Sequence, residues 1–210
     1  MDSIITIGRQ YGSGGRYVGR LLAEKLKVPF YDKELLAEAS RESGICEDLF
    51  EEQDEKPTRS LLFSLATGVQ SKTDLSSMYL DMPLNHRIFL AQFEAIRHLA
   101  EKGPCVIVGR CADYVLRDDP RTISVFIMAD QQSRIERAVT YYGMDRAKCA
   151  DALKKADKRR ASYYNYYATG SWGEVGNYHL CLDTGAVGVE GAVELLEHFT
   201  ELREHVRNGK

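Results

Sequence analysis

The stretch that most constrains this chain lies near its N-terminus and reads "SIITIGRQYGSGGRYVGRLLAEKL", from Ser3 to Leu26. An apolar run of strand type is followed by a glycine-rich turn, and then by a helical pattern with its apolar residues on one face. This order is the layout of a phosphate-binding loop, in which backbone N–H groups at the start of a helix surround an anion.

The loop departs from the common pattern G-x-x-x-x-G-K-[ST] at its lysine. The segment "RQYGSGGRY" places Arg9 at the first glycine of that pattern, Gly14 at the second and Gly15 at the lysine. The glycines that let a backbone wrap an anion are retained. Arg16 follows at the helix start, where a guanidinium would take the place of the lysine. A glycine-rich turn that binds no ligand is the alternative. The candidate phosphate-binding residues are Gly12, Ser13, Gly14, Gly15 and Arg16.

Short apolar segments alternate with helical patterns along the whole chain. The predicted strands are Ile4–Ile7, Val28–Tyr31, Cys105–Val108, Ile123–Met128 and Tyr178–Leu182. The predicted helices are Arg16–Leu26, Lys33–Arg41, Arg87–Glu101, Gln131–Tyr141 and Glu190–Val206. This alternation predicts an α/β fold of three layers, in which a five-stranded parallel sheet carries helices on both faces.

Two segments interrupt the alternation. Residues 44–84 include the acidic run "EDLFEEQDEK", and residues 142–177 are rich in Lys, Arg and Tyr. Because both lie between core strands, we interpret them as mobile, partly helical insertions over the edge of the sheet where ligands bind. The chain is therefore predicted to form a single domain over 1–210, with a core of 1–43, 85–141 and 178–210.

The composition argues against several classes of partner. The 210 residues carry a formal net charge of −3, which gives no overall attraction to nucleic acid or membrane. No apolar run approaches the roughly 18 residues of a membrane-spanning helix. The five cysteines include no CxxC pair, which favours free thiols over disulfides or a zinc site. We expect a soluble, cytoplasmic protein that binds neither nucleic acid nor membrane; its oligomeric state is left open.

Candidate cations also occur outside the loop. Arg110 directly follows the apolar run "CVIVG", at the strand end where open α/β sheets bind ligands. In "KKADKRRASYYNYY", helical spacing puts Asp157 and Arg160 on one face. This basic segment suits phosphoryl transfer, and a solvated helix face or a single-stranded nucleic acid site are the alternatives. Arg134 and Arg137 lie in a predicted helix, as either cations of a lid hinge or exposed helix charges, and we favour the second interpretation.

Three separated blocks of the sequence together resemble the cytidylate kinase-like proteins, a divergent branch of the P-loop nucleoside monophosphate kinases. The blocks read "ITIGRQYGSGGRYVGRLLAEKLKVPFYDKELL", "CVIVGRCADYVLRD" and "KKADKRRASYYNYY…WGEVGNYHLCLDTGAVGVEGAVELL". The resemblance implies a P-loop NTPase-type fold, with an acceptor-binding insertion at about 44–84 and a lid at about 142–177. It also implies that ATP and Mg²⁺ take part.

The resemblance implies acceptor-binding residues as well. The segment "FYDKE" is similar to the family's "YLDSG"-like segment, which places Asp32 and Lys33 beside the acceptor. The segment "GRCAD" is similar to the family's "GRDxG" block, so Arg110 is implied to contact the acceptor phosphate. Cys111 stands where the family has an aspartate that faces the base, and Asp113 is the nearest carboxylate.

The family's lid contains a D-x-x-R element, which Asp157-Lys158-Arg159-Arg160 resembles. Arg159 and Arg160 are therefore implied to stabilise the transferring phosphoryl group, with Arg16 as the third catalytic residue. The expected reaction moves the γ-phosphoryl group of ATP to a nucleoside monophosphate such as CMP or dCMP. The alternatives are a regulatory nucleotide-binding module with a degenerate loop, and a kinase that acts on a non-nucleotide small molecule.

Overall fold

Five apolar segments pair side by side in one parallel sheet, as the sequence predicts. The computed structural model describes residues 1–32, 34–46, 48–49 and 82–209. The strands are β1 Ile4–Arg9, β2 Phe30–Tyr31, β3 Cys105–Val108, β4 Thr122–Met128 and β5 Leu180–Asp183. Their order across the sheet is β2-β3-β1-β4-β5, and every pair is parallel.

Helices cover both faces of this sheet, so the predicted three-layer α/β fold is confirmed. The helices bounded within the described residues are α1 Gly15–Leu26, α2 Glu34–Ser43, α3 Leu84–Glu101, α4 Ala112–Val115, α5 Gln131–Tyr142, α6 Arg146–Tyr167 and α7 Thr184–Arg207. A short 3₁₀ turn, Val175–Asn177, precedes β5. Strand β5 begins two residues later than predicted, because that turn extends the preceding connection.

The two faces of β1 belong to two different parts of the core. Ile5 and Ile7 pack with residues of α1 and α7, including Leu22 and Leu196. Ile4 points to the opposite face and joins a cluster with residues of α3 and α4. Successive side chains of a strand point to opposite faces, so a central strand covered by helices on both sides must be apolar throughout.

Helices α5 and α6 have clear start and stop signals. The Asp130 side chain accepts a hydrogen bond from the N–H of Ser133 at the start of α5, and Gly143 ends that helix at φ 63°. The Asp145 side chain accepts from the N–H of Ala147 and caps α6 in the same way. Side-chain caps of this type stabilise a helix start by about 1 kcal/mol. The two helices therefore have well-defined positions beside the sheet edge.

All five strands run parallel, so their carboxyl ends meet at one edge of the sheet. The glycine loop follows β1, Asp32 follows β2 and Arg110 follows β3. Asp130 follows β4, and Thr184 follows β5. This edge brings together segments that are far apart in the sequence.

The two predicted insertions have different outcomes. Most of residues 44–84 lie outside the described part of the chain. Within 142–177, the predominant element is α6, a continuous helix of 22 residues. In the part of the chain that the structure describes, no helix has both the length and the apolar character needed to cross a bilayer.

Candidate active site

The glycine loop between β1 and α1 has a backbone that depends on its glycines. Gly12 and Gly14 adopt φ values of 77° and 79°, in the left-handed region that other residues rarely enter. The Ser13 side chain is buried and donates to the carbonyl of Gln10 at 2.9 Å. Thr184 directly follows β5, and its hydroxyl donates to the carbonyl of Ser13 at 2.6 Å. The loop is thus held in one shape by hydrogen bonds inside it and behind it.

The first turn of α1 presents backbone donors at this loop. The N–H groups of Gly14, Arg16 and Tyr17 donate to no described residue, whereas that of Val18 closes the first helical turn on Gly14 at 2.9 Å. Free N–H groups at a helix start carry partial positive charge and attract anions. A methyl group at Gly15 would lie only 2.7 Å from Cβ of Arg9, so the start of α1 packs directly against β1.

Arginines of α5 and α6 bind the loop through its carbonyl groups. The Asp157 carboxylate of α6 also accepts from the N–H of Tyr11 at 2.7 Å and forms an ion pair with Arg134. These contacts hold the carbonyl groups of Arg9, Tyr11 and Gly12 in place. The guanidinium-to-carbonyl hydrogen bonds are Arg134 Nε to Tyr11 O at 2.8 Å, Arg137 Nη1 to Gly12 O at 2.7 Å and Arg160 Nη1 to Arg9 O at 3.2 Å.

The interpretation of Arg134 and Arg137 as exposed helix charges is wrong. Arg134 is buried, and Arg137 is half-buried against the loop. Helical periodicity identifies the apolar stripe of α5, but it cannot show that its polar side meets another backbone. The expectation that Asp157 and Arg160 share a face is confirmed, because both contact the loop from α6.

Asp32 forms ion pairs with two of the predicted site residues. Its Oδ2 atom lies 2.6 Å from Nε of Arg16, and its Oδ1 atom lies 3.3 Å from Nη1 of Arg110. The side chain of Arg16 is 61% exposed, whereas that of Arg110 is 2% exposed. The chain of ion pairs therefore runs from the solvent-facing start of α1 to the buried turn after β3. Lys33 lies outside the described residues.

The turn after β3 has an unusual backbone. Gly109, Arg110 and Cys111 have φ values of 80°, 53° and 56° in succession. For a non-glycine residue this conformation costs about 1–2 kcal/mol, and such strain concentrates at functional sites. The turn directs the Arg110 side chain back toward the sheet, where Nη1 donates to the carbonyl of Val108 at 3.3 Å.

Asp113 lies in α4 and is half-buried against α6. Its Oδ2 atom accepts a hydrogen bond from the Tyr164 hydroxyl at 2.7 Å. Burial raises the pKa of the Asp113 carboxyl, although the Tyr164 hydrogen bond opposes the shift. Burial also raises the pKa of the Tyr164 and Tyr178 hydroxyls, so both are neutral donors at physiological pH. Asp113 therefore belongs to a buried hydrogen-bonding group rather than to an exposed acidic surface.

Two cavities adjoin the loop region. The larger has a volume of about 920 Å³ and is lined by Gly14, Arg16 and Arg137, among others. The smaller has a volume of only about 20 Å³. It is lined by Arg9, Arg110, Asp113, Arg160 and a group of aromatic residues that includes Trp172. We call them the large cavity and the small cavity.

The two predicted lid arginines differ in their surroundings. The Arg160 guanidinium lies over the Tyr11 ring at 5.5 Å and borders the small cavity. Arg159 is exposed on α6 and makes no hydrogen bond or ion pair with the residues that the structure describes. Of the predicted site residues, Gly12–Gly15, Arg16, Asp32, Arg110, Asp113 and Arg160 thus lie at the loop or around the two cavities, and Arg159 lies apart.

The order of the strands, the glycine loop and the arginines around that loop together define a P-loop kinase fold. The family model described as "Cytidylate kinase-like family" matches residues 4–186, and the chain belongs to this family. The chain is 31% identical to an uncharacterized protein from Eubacterium ventriosum, with a TM-score of 0.69, over 95% of this chain and 98% of that one. No curated protein matches significantly.

More distant solved structures share the fold. One is a shikimate kinase from Bacteroides thetaiotaomicron, with 16% identity, a TM-score of 0.55 and coverage of 96% of this chain and 99% of that one. Another is a shikimate kinase from Acinetobacter baumannii in complex with shikimate, with 16% identity, a TM-score of 0.52 and coverage of 96% and 94%. Family and fold together support a kinase that acts on a nucleotide or another small molecule.

Proposed function

We propose that the protein transfers the γ-phosphoryl group of ATP to a nucleoside monophosphate of the CMP or dCMP type. The observation that carries the proposal is the ion-pair chain Arg16–Asp32–Arg110. It joins the end of the phosphate loop, at the start of α1, to the turn that the family resemblance assigns to the acceptor. A kinase must hold its donor and acceptor side by side, because most of its catalysis is positioning and charge stabilisation.

On the donor side, the backbone of Gly12–Gly15, with Ser13 inside it, would hold the ATP phosphates. Arg16 would exchange its contact with Asp32 for the transferring phosphoryl group. The large cavity next to Gly14, about 920 Å³ in volume, is within the range of nucleotide-sized binding sites. Arg16 is exposed and carries a long side chain, so this exchange needs no movement of the backbone.

On the acceptor side, Arg110 would bind the acceptor phosphate, and Asp32 and Lys33 would lie beside the nucleotide. Asp113 and the Tyr164 hydroxyl would supply hydrogen-bonding groups for the base. Arg160, with Arg159 from the preceding position of α6, would approach the transferring group when the lid, at about 142–177, closes. Arg160 already contacts the carbonyl of Arg9 at the end of β1.

The site also has a carboxylate that suits Mg²⁺. This ion usually binds one or two carboxylates together with substrate phosphates, and it neutralises the charge that develops during transfer. Asp32 is the carboxylate paired with the first residue after the loop glycines, and it would hold the ion together with the donor phosphates. The Ser13 hydroxyl is directed to the Gln10 carbonyl, so it is less suited to this task.

A regulatory nucleotide-binding module is the second candidate. Its support is that Gly15 stands at the lysine position and that the charge of Arg16 is paired with Asp32. A kinase for a non-nucleotide small molecule is the third candidate. Its support is that two of the solved structures that share the fold are shikimate kinases. The small cavity does not separate the two kinds of acceptor, because at about 20 Å³ it would have to open for either. All five cysteines are free thiols, which fits the proposed cytoplasmic location.

The experiment that separates these candidates measures ADP formation from ATP and Mg²⁺ with a panel of acceptors. We expect turnover with CMP or dCMP, and weaker turnover with other nucleoside monophosphates. The panel should extend to sugars and polyols. Turnover with one of those alone would favour the third candidate. Tight ATP binding without turnover on any acceptor would favour the regulatory module.

A further inference from the structure

The loop lacks the fixed positive charge that a lysine gives to a phosphate loop. Gly15 stands at that position, and Arg16 is the nearest cation in the sequence. The Arg16 side chain, however, is 61% exposed and is paired with Asp32 at 2.6 Å. It is well suited to move, and poorly suited to hold a phosphate in one place before the reaction.

The guanidinium of Arg137 contacts the loop glycines directly. Its Nη1 atom donates to the Gly12 carbonyl at 2.7 Å. A methyl group at Gly14 would lie 3.4 Å from both Cζ and Nε of Arg137, which is ordinary contact distance, so the guanidinium is a neighbour of that glycine. Arg137 and Gly14 also line the same large cavity. The left-handed backbone at Gly14 and the guanidinium of Arg137 therefore lie side by side at the wall of this cavity.

The charge of Arg137 is not neutralised by an ion pair with a described residue. Arg134 and Arg16, in contrast, each pair with an aspartate, namely Asp157 and Asp32. A guanidinium has five N–H donors, and the Gly12 carbonyl uses one of them. Donors therefore remain for phosphate oxygens, which arginine can bind in a bidentate manner.

The position of Arg137 is fixed by its helix. Asp130 caps the start of α5, and Arg134, one turn before Arg137, is held by the Tyr11 carbonyl and Asp157. A charge held in place before the substrate arrives requires little reorganisation when it binds, and this makes it effective.

We propose that Arg137 supplies the fixed positive charge of the phosphate loop, and that it binds the β-phosphate region of the donor nucleotide from the wall of the large cavity. The inference rests on the donor site of the proposed function and adds a binding residue to it. Arg16 then remains free to follow the phosphoryl group that is transferred. The two tasks of the usual lysine are divided between a residue of α5 and a residue of α1.

The test measures how ATP, ADP and AMP displace a fluorescent ATP analogue from four variants, Arg137→Ala, Arg137→Lys, Arg137→Gln and Arg16→Ala. Arg137→Ala should lower the affinity for ATP and for ADP by about 10- to 100-fold, which is about 1.4–2.7 kcal/mol. The affinity for AMP should change by less than about threefold, because AMP has no β-phosphate. Lysine restores the charge, and glutamine restores only a hydrogen-bond donor. The expected order of ATP affinity is therefore Arg, then Lys, then Gln and Ala together.

Several results would overturn the inference. In one, Arg137→Ala binds ATP like the wild type. In another, the affinities for ATP and AMP fall equally, which would indicate a distorted loop. If Arg137→Gln binds ATP as well as Arg137→Lys does, the charge is not needed. The exposed Arg41 of α2 provides an Arg→Ala control. Because this test reads binding alone, it stays distinct from the proposed function, which fails if no acceptor is phosphorylated.

Discussion

The large and small cavities lie next to the same glycine loop, yet they differ in almost every physical respect. The large cavity has a volume of about 920 Å³, and its wall includes the exposed side chains of Arg16 and Tyr17. The small cavity has a volume of about 20 Å³, and its lining includes buried groups such as Arg110 and Tyr163. One side of the loop thus has a large cavity, and the other is nearly filled.

The difference suggests an order of events. On the proposed donor side, an exchange of side-chain partners would suffice, because the backbone there is already held by hydrogen bonds. The proposed acceptor side would have to gain volume, and its wall includes side chains of α6, among them Arg160 and Tyr164. Movement of α6 would therefore admit the acceptor and bring its arginines to the donor in the same step. The predictions below test this comparison, beginning with the largest expected effect.

Gly15→Ala should have the largest effect, and it should act on the donor side. The new methyl group would lie 2.7 Å from Cβ of Arg9 and 3.1 Å from Cβ of Ile127. Neither atom can rotate away, so the start of α1 must shift. We expect ATP affinity to fall about 100-fold or more, which is about 2.7 kcal/mol, as measured by calorimetry. Gly176→Ala is the control, because a methyl group there contacts nothing within 4 Å. Unchanged ATP affinity in Gly15→Ala would show that the donor does not use this loop.

Arg160→Ala should lower kcat by about 100-fold, or about 2.7 kcal/mol, with little change in ATP affinity. The reason is that Arg160 borders the small cavity and would meet the phosphoryl group only after α6 moves. Steady-state kinetics and ATP titration test this, and Lys158→Ala removes an exposed charge from the same helix as a control.

The movement of α6 has its own measurement. Amide hydrogen exchange over Arg146–Tyr167 should slow when a bisubstrate analogue binds, because local opening sets the exchange rate. If exchange is unaffected and Arg160→Ala retains its kcat, α6 is not a lid, and the preference shifts to the regulatory module.

Arg110→Ala should raise KM for the acceptor by about 10- to 100-fold, about 1.4–2.7 kcal/mol, while ATP affinity changes little. Arg110 is linked to Arg16 through Asp32, which forms an ion pair with each of them. Acceptor saturation curves and ATP titration measure the two effects separately. Arg117→Ala, at an exposed arginine that lies over the Tyr114 ring, is the control. If Arg110→Ala changes only the affinity for ATP, the turn after β3 belongs to the donor side.

Asp113→Asn should have the smallest effect, and its sign should depend on pH. Burial raises the pKa of Asp113 in the folded chain above the ordinary 3.8. Below pH 3.8 the carboxyl is protonated in both the folded and the unfolded chain. Its contribution to stability is then lost as the pH rises through the pKa of the folded chain. The asparagine variant lacks this loss, so its free energy of unfolding relative to the wild type should increase with pH.

Denaturation at a series of pH values checks this prediction. We expect a shift of a few degrees in Tm, since about 1 kcal/mol changes the Tm of a chain this size by about 2–4 °C. Asp118→Asn is the control, because that side chain is 87% exposed. A Tm difference that is independent of pH would contradict the raised pKa.

The sequence predicts the sheet and the loop well because their signals are local. Each strand is a short apolar run, and the glycines of the loop mark a backbone that other residues avoid. The edge positions of Asp32 and Arg110 also follow from this pattern, since each residue comes directly after a strand. A parallel sheet then brings those ends together without further information.

The parts that were missed depend on contacts between distant segments. Nothing in the local pattern around Arg134 and Arg137 shows that they donate to loop carbonyls more than a hundred positions away. The left-handed backbone of Arg110 and Cys111 gave no signal either, because neither is a glycine. The sequence also did not predict the length of α6, because the tyrosines and lysines within it do not form the clear apolar stripe of a helical pattern.

The attachment of Arg137 to Gly12 has a consequence for the modularity of this fold. The two residues are 125 positions apart in the sequence. If Arg137 binds the donor phosphates as proposed, the phosphate-binding motif extends beyond the glycine segment, and transplanting "GRQYGSGGRY" into another scaffold would carry over the cradle without its charge. For the same reason, homologues that lose the arginine are expected to regain a lysine in the loop. The motif and the helix should therefore be inherited, or exchanged, as one unit.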